Sequence, residues 1–171
     1  MMSTLRKLAR LGLGLAATLA FLAPLATRLV LGHEFYQTGS GKWQNFDNVV
    51  TFFTGLGIPF PAANAAFVST LELVGGICLI LGLLTRLMAL GLSSTMVVAL
   101  MTADRGDFVS ALSGSAETSL TDVVPFVFLL FLLWLILFGP GPVSLDRFVA
   151  KWLARGGAQL SAPRSQADRA A

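Results

Sequence analysis

Charged residues, histidine and cysteine are all scarce in this sequence. Lys, Arg, Asp and Glu together make up 12% of the 171 residues, about half the share that soluble domains carry. The single cysteine, Cys78, excludes an intrachain disulfide, a CxxC pair and a metal site built from cysteines. Phosphate-binding loops, dinucleotide fingerprints, HExxH motifs and Ser/His/Asp arrangements are missing as well. With no catalytic or cofactor motif of its own, the chain is better explained as a subunit than as a stand-alone enzyme.

Apolar residues take the place of the charged ones. They make up 55% of the chain, whose mean hydropathy is +0.76, and such values are typical of membrane proteins. The net charge of +3 does not indicate a nucleic-acid partner, because the basic residues lie at the ends of apolar runs. The partner that this composition predicts is the lipid bilayer.

The run 62–84 is the segment around which the sequence is organised. It follows Pro61, which favours a helix start, and it is long enough to cross the hydrocarbon core as a helix. Glu72 is the one charged residue in this run and lies close to its centre. A carboxylate at mid-bilayer costs roughly 2.5–3.5 kcal/mol, so Glu72 is predicted to have either a partner inside the protein or a neutral form.

The apolar stretch before this run has two interpretations. In the first, residues 11–27 span the membrane and the chain from Arg28 onward lies outside it. In the second, the helix covers 24–43, and residues 3–21 lie along the inner interface. Both interpretations place the N-terminus inside. Only the second places the histidine and the glutamate that follow Gly32 at membrane depth.

Two more spans complete the predicted fold. They cover 87–102 and 123–138, and Asp122 is expected to cap the second of them. Residues 103–120 between them are predicted to form a polar external loop. Amphipathic helices at the membrane interface are predicted over 45–57 and after the fourth span. The predicted fold class is therefore all-α, a four-transmembrane-helix bundle with short interfacial amphipathic helices.

Basic residues set the predicted orientation. Lys42 and Arg105 lie clearly on one side of the four-span arrangement, and most other basic residues lie on the opposite side. The positive-inside rule then places both termini in the cytoplasm of a cell whose inner membrane the protein crosses several times. The chain divides into a basic N-terminal segment at the inner interface (1–22), a four-helix membrane domain (23–155) and a disordered cytoplasmic tail (156–171).

A polar cluster inside the bundle is the candidate site. In the second interpretation of the first helix, His33 and Glu34 reach about the depth of Glu72, and Arg28 lies one or two turns below. A functional explanation is a proton relay, a contact to a quinone or other ligand, or a metal site, although no metal is assigned. The alternative is a hydrogen-bonded pair that fixes the packing of the first two helices. Lys42 is interpreted as an interfacial anchor, with a ligand contact as the alternative.

Three segments in sequence order resemble the DoxX family of small membrane proteins. They are RLVLGHEFYQTGSGKW at 28–43, FFTGLGIPFP at 52–61 and LELVGGICLILGLLTR at 71–86, and GPGPVSLDR at 139–147 fits the same family. Each motif alone is weak, whereas their ordered combination, over roughly residues 24–150, is specific.

The resemblance implies a four-helix membrane protein and favours the second interpretation of the first helix. It also implies a link to quinone-coupled membrane redox complexes, so the resemblance points to a quinone as cofactor and a membrane oxidoreductase as protein partner. The chain lacks the cysteine pairs of some relatives, which argues against thiol chemistry by the chain itself.

Functions of three classes follow from these observations. The leading hypothesis is a small integral subunit of a membrane redox or respiratory-type complex, with Glu72 and His33 near a quinone-sized crevice. The alternative is a small proton-coupled transporter in which Glu72 is the coupling carboxylate, although the sequence shows no inverted repeat of the kind that many carriers use. A purely structural membrane protein is the third hypothesis.

Overall fold

The regular structure of the chain is helical. The computed structural model describes residues 13–14, 18–114 and 118–160, and every element within these ranges is a helix. The elements are α1 (Leu22–Gln44), α2 (Phe46–Gly55), α3 (Pro61–Leu81), α4 (Thr85–Met101), α5 (Arg105–Leu112), α6 (Val124–Phe138) and α7 (Leu145–Leu160). The predicted all-α class is confirmed.

Helix ends follow the local sequence signals. α1 begins at Leu22 and continues to Gln44, as the second interpretation of the first helix predicts. Most of the preceding segment that was assigned to the inner interface, 3–12 and 15–17, lies outside the described residues. α3 begins with Pro61, whose missing N–H is harmless in a first turn. It ends at Leu81 and is capped by Gly82, whose φ of 68° is the left-handed conformation that glycine adopts without strain.

The helices α1, α3, α4 and α6 pack as an antiparallel bundle. Gly32 of α1 faces Gly76 of α3, and Gly39 faces Leu73, so α1 and α3 run in opposite directions. α1 also packs against α6, where the ring centroids of Phe35 and Phe128 are 5.6 Å apart. The buried core between the four helices consists of Leu31, Phe35, Leu79, Ala89, Leu92, Met96, Leu132 and Leu135.

The outer faces of these helices are apolar. Leu29, Leu90 and Leu137 are among many large apolar side chains that point away from the core. By length and composition, α3 qualifies as a membrane span. α4 and α5 qualify only when taken together, with a bend of 81° between them, and α6 is apolar but shorter at 15 residues. The helical bundle is therefore confirmed, whereas the number of membrane spans stays a prediction.

The segment between α6 and α7 ties one end of the bundle together. The buried Arg28 side chain donates hydrogen bonds to the carbonyl oxygens of Pro140 (2.9 Å) and Val143 (2.7 Å). The Asp146 carboxylate accepts hydrogen bonds from the backbone N–H groups of Leu84 (2.6 Å) and Thr85 (2.9 Å), at the start of α4. These contacts satisfy backbone groups that helix ends leave without partners.

Three predicted boundaries differ from the structure. The predicted loop 103–120 contains the helix α5, which is held against α6 by the rings of Phe108 and Phe126, with centroids 5.9 Å apart. Asp122 does not cap α6, because its carboxylate accepts from the backbone N–H of Ser119 and closes a turn instead. The tail predicted from residue 156 begins inside α7, and 161–171 lie outside the described residues.

Candidate functional site

A buried ion pair joins α1 to α3. Lys42 Nζ lies 2.5 Å from Glu72 Oε1. Glu72 is only 2% exposed, whereas the Lys42 side chain is 29% exposed. Within the described part of the chain, the other carboxylate oxygen, Oε2, has no hydrogen-bond partner. Since leaving a buried acceptor unsatisfied is costly, a polar atom of this kind indicates a position where a ligand, water or ion completes the site.

Close packing of α1 against α3 brings the two side chains together. A Cβ atom on Gly76 would lie 2.5 Å from the backbone nitrogen of Tyr36, and one on Gly39 would collide with the backbone of Leu73. Only glycine allows two helix backbones to approach this closely. Lys42 lies one turn beyond Gly39 on the same face, so the antiparallel register places it beside Glu72.

An apolar crevice opens beside the ion pair. Its volume is about 830 Å³, and Lys42 and Glu72 are both among its lining residues. It lies at the end of the bundle where α1 and α4 end and α3 and α6 begin, and α2 contributes one wall. Five aromatic rings contribute to the lining, from Phe35, Phe52, Phe53, Phe67 and Phe128. This shape and polarity suit an amphipathic molecule with its polar head at the ion pair and its apolar body among the rings.

A second carboxyl group lines the crevice. Asp104 lies in the turn between α4 and α5. Burial, together with the nearby charge of Asp107, raises the pKa of the Asp104 carboxyl above its ordinary value. As the pH falls, Asp104 therefore takes up a proton earlier than an ordinary aspartate and removes one negative charge from the crevice wall.

Glu72 pairs with Lys42 and with none of the residues that were predicted to cluster with it. His33 and Glu34 are exposed, and the His33 ring contacts the side chain of Gln37 one turn further along α1. Arg28 is buried at the opposite end of the bundle, bonded to carbonyl oxygens. Among the residues that the structure describes, no group of three or more His, Cys, Asp or Glu side chains is arranged to hold a metal ion.

Helical periodicity explains why Lys42, and not His33, pairs with Glu72. The buried face of α1 carries Arg28, Leu31, Gly32, Phe35 and Gly39, at steps of three and four residues. Lys42 continues this series, and the residues directly after Gly32 do not belong to it. The spacing was a usable signal that Lys42 lies on the packed face of α1, although it does not indicate which residue of α3 it meets. The aromatic crevice had no such signal, because its walls come from five separate helices.

Comparison with known proteins places the chain among membrane proteins. The DoxX family model matches residues 23–105. CatD of Bacillus subtilis (strain 168), which is named as a candidate oxidoreductase, is 28% identical over 132 residues that cover 77% of this chain and 90% of CatD. The uncharacterized membrane protein Rv3486 of Mycobacterium tuberculosis (strain ATCC 25618 / H37Rv) is 34% identical over 143 residues, covering 79% of this chain and 86% of Rv3486. No solved structure matches.

Proposed function

Because the chain belongs to the DoxX family of membrane proteins, we propose that it is a small integral subunit of a membrane redox complex and binds a quinone-type molecule in its crevice. The observation that carries this proposal is the ion pair of Lys42 and Glu72 beside an apolar crevice of about 830 Å³. The resemblance to a protein named as a candidate oxidoreductase supports the redox part.

The polar end of the crevice favours a ligand whose head both donates and accepts hydrogen bonds. Glu72 Oε2 is buried and needs a donor, since the described residues supply none. The Lys42 ammonium uses one of its N–H groups on Glu72 Oε1 and can offer another to an acceptor. The hydroxyl of a quinol meets both requirements. A quinone carbonyl meets only the second, so we infer that the reduced form binds more tightly.

The rest of the crevice suits the remainder of such a molecule. Its volume falls within the range of about 300–1,000 Å³ that is usual for small-molecule sites. Phe35 is buried and Phe128 is half-buried against the core, whereas Phe52 and Phe67 are exposed toward the outer edge of the bundle. An aromatic head can therefore pack at the inner rings while an apolar chain leaves past the outer ones toward lipid.

The redox partner is inferred to be a separate protein. The chain has one cysteine and no nucleotide-binding motif, so the role that its residues support is to bind and orient the quinone head near a partner's electron donor or acceptor. Glu72 and Asp104 are the carboxyl groups that line the crevice and can exchange protons with a bound quinol.

We also propose that α1, α3, α4 and α6 each cross the membrane, with both termini in the cytoplasm. Supporting this, α1 has 23 residues, about 34 Å of helix, which is enough for the hydrocarbon core. The basic residues near the end of the bundle that holds Arg28 and Asp146 outnumber those near the crevice. The crevice then faces the outer side.

The orientation is tested by labelling single cysteines in a variant that lacks Cys78. Ser113→Cys, placed after α5, is expected to react with a membrane-impermeant maleimide added outside intact cells or spheroplasts. Ser161→Cys is expected to react only after the membrane is opened, because the proposed tail is cytoplasmic. Reaction of both positions from the same side would exclude the four-span arrangement.

The proposed function is tested by affinity purification of the full chain from its native membranes. We expect subunits of an oxidoreductase and a bound quinone to co-purify with the wild type and with the control variant Glu34→Gln, whose carboxyl is exposed. Glu72→Gln is expected to lose the quinone and to keep the protein partner. A solitary protein without quinone, in cells whose quinone reduction is unchanged by deletion of the chain, would contradict the proposal. Proton flux in vesicles containing the pure protein would favour the transporter instead.

A further inference from the structure

A shallow depression lies at the end of the bundle opposite the crevice. It is bounded by the start of α4 and by the segment that follows α6, and its volume is about 600 Å³. Two arginine side chains, Arg86 and Arg147, line it from different elements. Both are exposed, so their guanidinium groups are accessible to a molecule that enters from outside the bundle.

The arginines keep their positive charge available. Asp146 lies in the same depression, but both of its carboxylate oxygens accept hydrogen bonds from backbone N–H groups at the start of α4. The Arg86 side chain donates one long hydrogen bond, of 3.5 Å, to the carbonyl oxygen of Leu137. Within the described ranges, neither Arg86 nor Arg147 forms an ion pair with a carboxylate. The depression therefore has positive charge that the described residues do not neutralise by pairing.

Apolar side chains surround the two arginines. Leu84, Leu87 and Phe138 line the depression and are exposed by 51%, 58% and 65%. α7 begins beside it and presents exposed apolar side chains of its own, including Phe148 and Trp152. Large exposed apolar residues next to unpaired arginines at a bundle end are the arrangement expected where protein meets both acyl chains and anionic headgroups.

We propose that this depression binds an anionic phospholipid of the adjoining leaflet. The planar guanidinium groups of Arg86 and Arg147 are suited to the lipid phosphate, because each can donate two parallel hydrogen bonds to its oxygens. The acyl chains then lie along Leu87 and Phe138, on the outward faces of α4 and α6. This lipid would hold α7 in the plane of the interface through Arg147. The site is separate from the crevice, and the proposal does not depend on the quinone.

The test uses the purified full chain and native mass spectrometry with phosphatidylglycerol or phosphatidylcholine added. We expect the wild type to retain phosphatidylglycerol over phosphatidylcholine by about thirtyfold, since two basic contacts are involved. The double variant Arg86→Gln/Arg147→Gln is expected to lose this preference. Arg105→Gln, an exposed arginine at the start of α5, is the matched control and is expected to keep it.

Two results would overturn the proposal. One is an unchanged preference for phosphatidylglycerol in the double variant. The other is complete displacement of the lipid by millimolar inorganic phosphate, which would show a site for free phosphate instead of a lipid. If the double variant does not fold, Arg147→Gln alone gives the same comparison, because this side chain is exposed and forms no ion pair with the described residues.

Discussion

Replacing Glu72 by glutamine is expected to abolish the cellular activity of the protein while leaving its fold intact. The amide keeps the shape of the carboxylate and can still accept a hydrogen bond from Lys42, so the expected loss of stability is about 1 kcal/mol. The amide has one oxygen acceptor instead of two, carries no negative charge and cannot exchange a proton with a ligand. Complementation of a deletion strain measures the activity, and thermal unfolding in the same membrane measures the fold.

Two further variants separate the site from the packing. Lys42→Met leaves the carboxylate buried without its cation, and breaking a buried pair in this way costs about 3–5 kcal/mol. Adding Glu72→Leu to Lys42→Met removes the unpaired buried carboxylate. The double variant is therefore expected to regain stability without regaining activity. Glu34→Gln changes an exposed carboxyl of α1 that lies outside the crevice, so it serves as the control and is expected to behave like the wild type.

Full complementation by Glu72→Gln would contradict the interpretation that the Glu72 carboxylate takes part in the activity. Glu72 would then be a packing residue, and its replacement by leucine should cost no more than an ordinary hydrogen bond between membrane helices, on the order of 0.6–1.7 kcal/mol. The crevice would remain as a feature of the fold, but the proposal that its ion pair binds a ligand would have no support.

Glu72 could be identified from the sequence because its position alone is informative. A single carboxylate at the centre of an apolar run must be satisfied inside the protein. In the structure, Glu72 is only 2% exposed. The helices could be identified for a similar reason, since apolar runs bounded by residues such as Pro61 and Gly139 indicate where they begin and end. Both arguments are local, and local patterns are what a single sequence records well.

The partner of Glu72 could not be found by the same reasoning, because it depends on the register between two helices. The midpoint of the first span is near His33, and matching midpoints pairs that residue with Glu72. The actual register is set where Gly32 and Gly39 meet α3, and it moves Lys42 to the level of Glu72 instead. Nine residues separate His33 from Lys42, about 13 Å along a helix, and an argument from membrane depth cannot resolve that offset.

A crevice near Glu72 was hypothesised from the sequence, but the residues that form its walls could not be identified there. Its walls include α2, which amphipathic periodicity predicts as an interfacial helix without indicating what its apolar face covers. Phe52 and Phe53 of α2 line the crevice together with Phe67 of α3, because the short turn between these helices lets α2 pack against α3. Cavities arise from the relative placement of elements, and nothing in the composition of any one element specifies them.

Replacing Gly39 by alanine is expected to separate α1 from α3 and to destabilise the protein severely. The added methyl group would be forced against the backbone of Leu73 and would lie 2.9 Å from the carbonyl oxygen of Ser69. Backbone atoms cannot move aside as a flexible side chain can, so the expected cost is at or above the upper end of the usual overpacking range, about 3 kcal/mol. Loss of folded protein in detergent, measured by thermal unfolding and gel filtration, tests this prediction.

The matched control lies two residues further along the same helix. A Cβ on Gly41 would have no atom within 4 Å, so Gly41→Ala is expected to stabilise α1 by about 0.5–1 kcal/mol through its better helix propensity. Because Lys42 reaches Glu72 only while α1 lies close to α3, any Gly39→Ala protein that still folds should also lose quinone binding, whereas Gly41→Ala should retain it. Equal unfolding temperatures for the two variants would show that the close approach at Gly39 does not hold the helices together. In that case the position of Lys42 would need another explanation, since the glycine contacts are what set the register that brings it to Glu72.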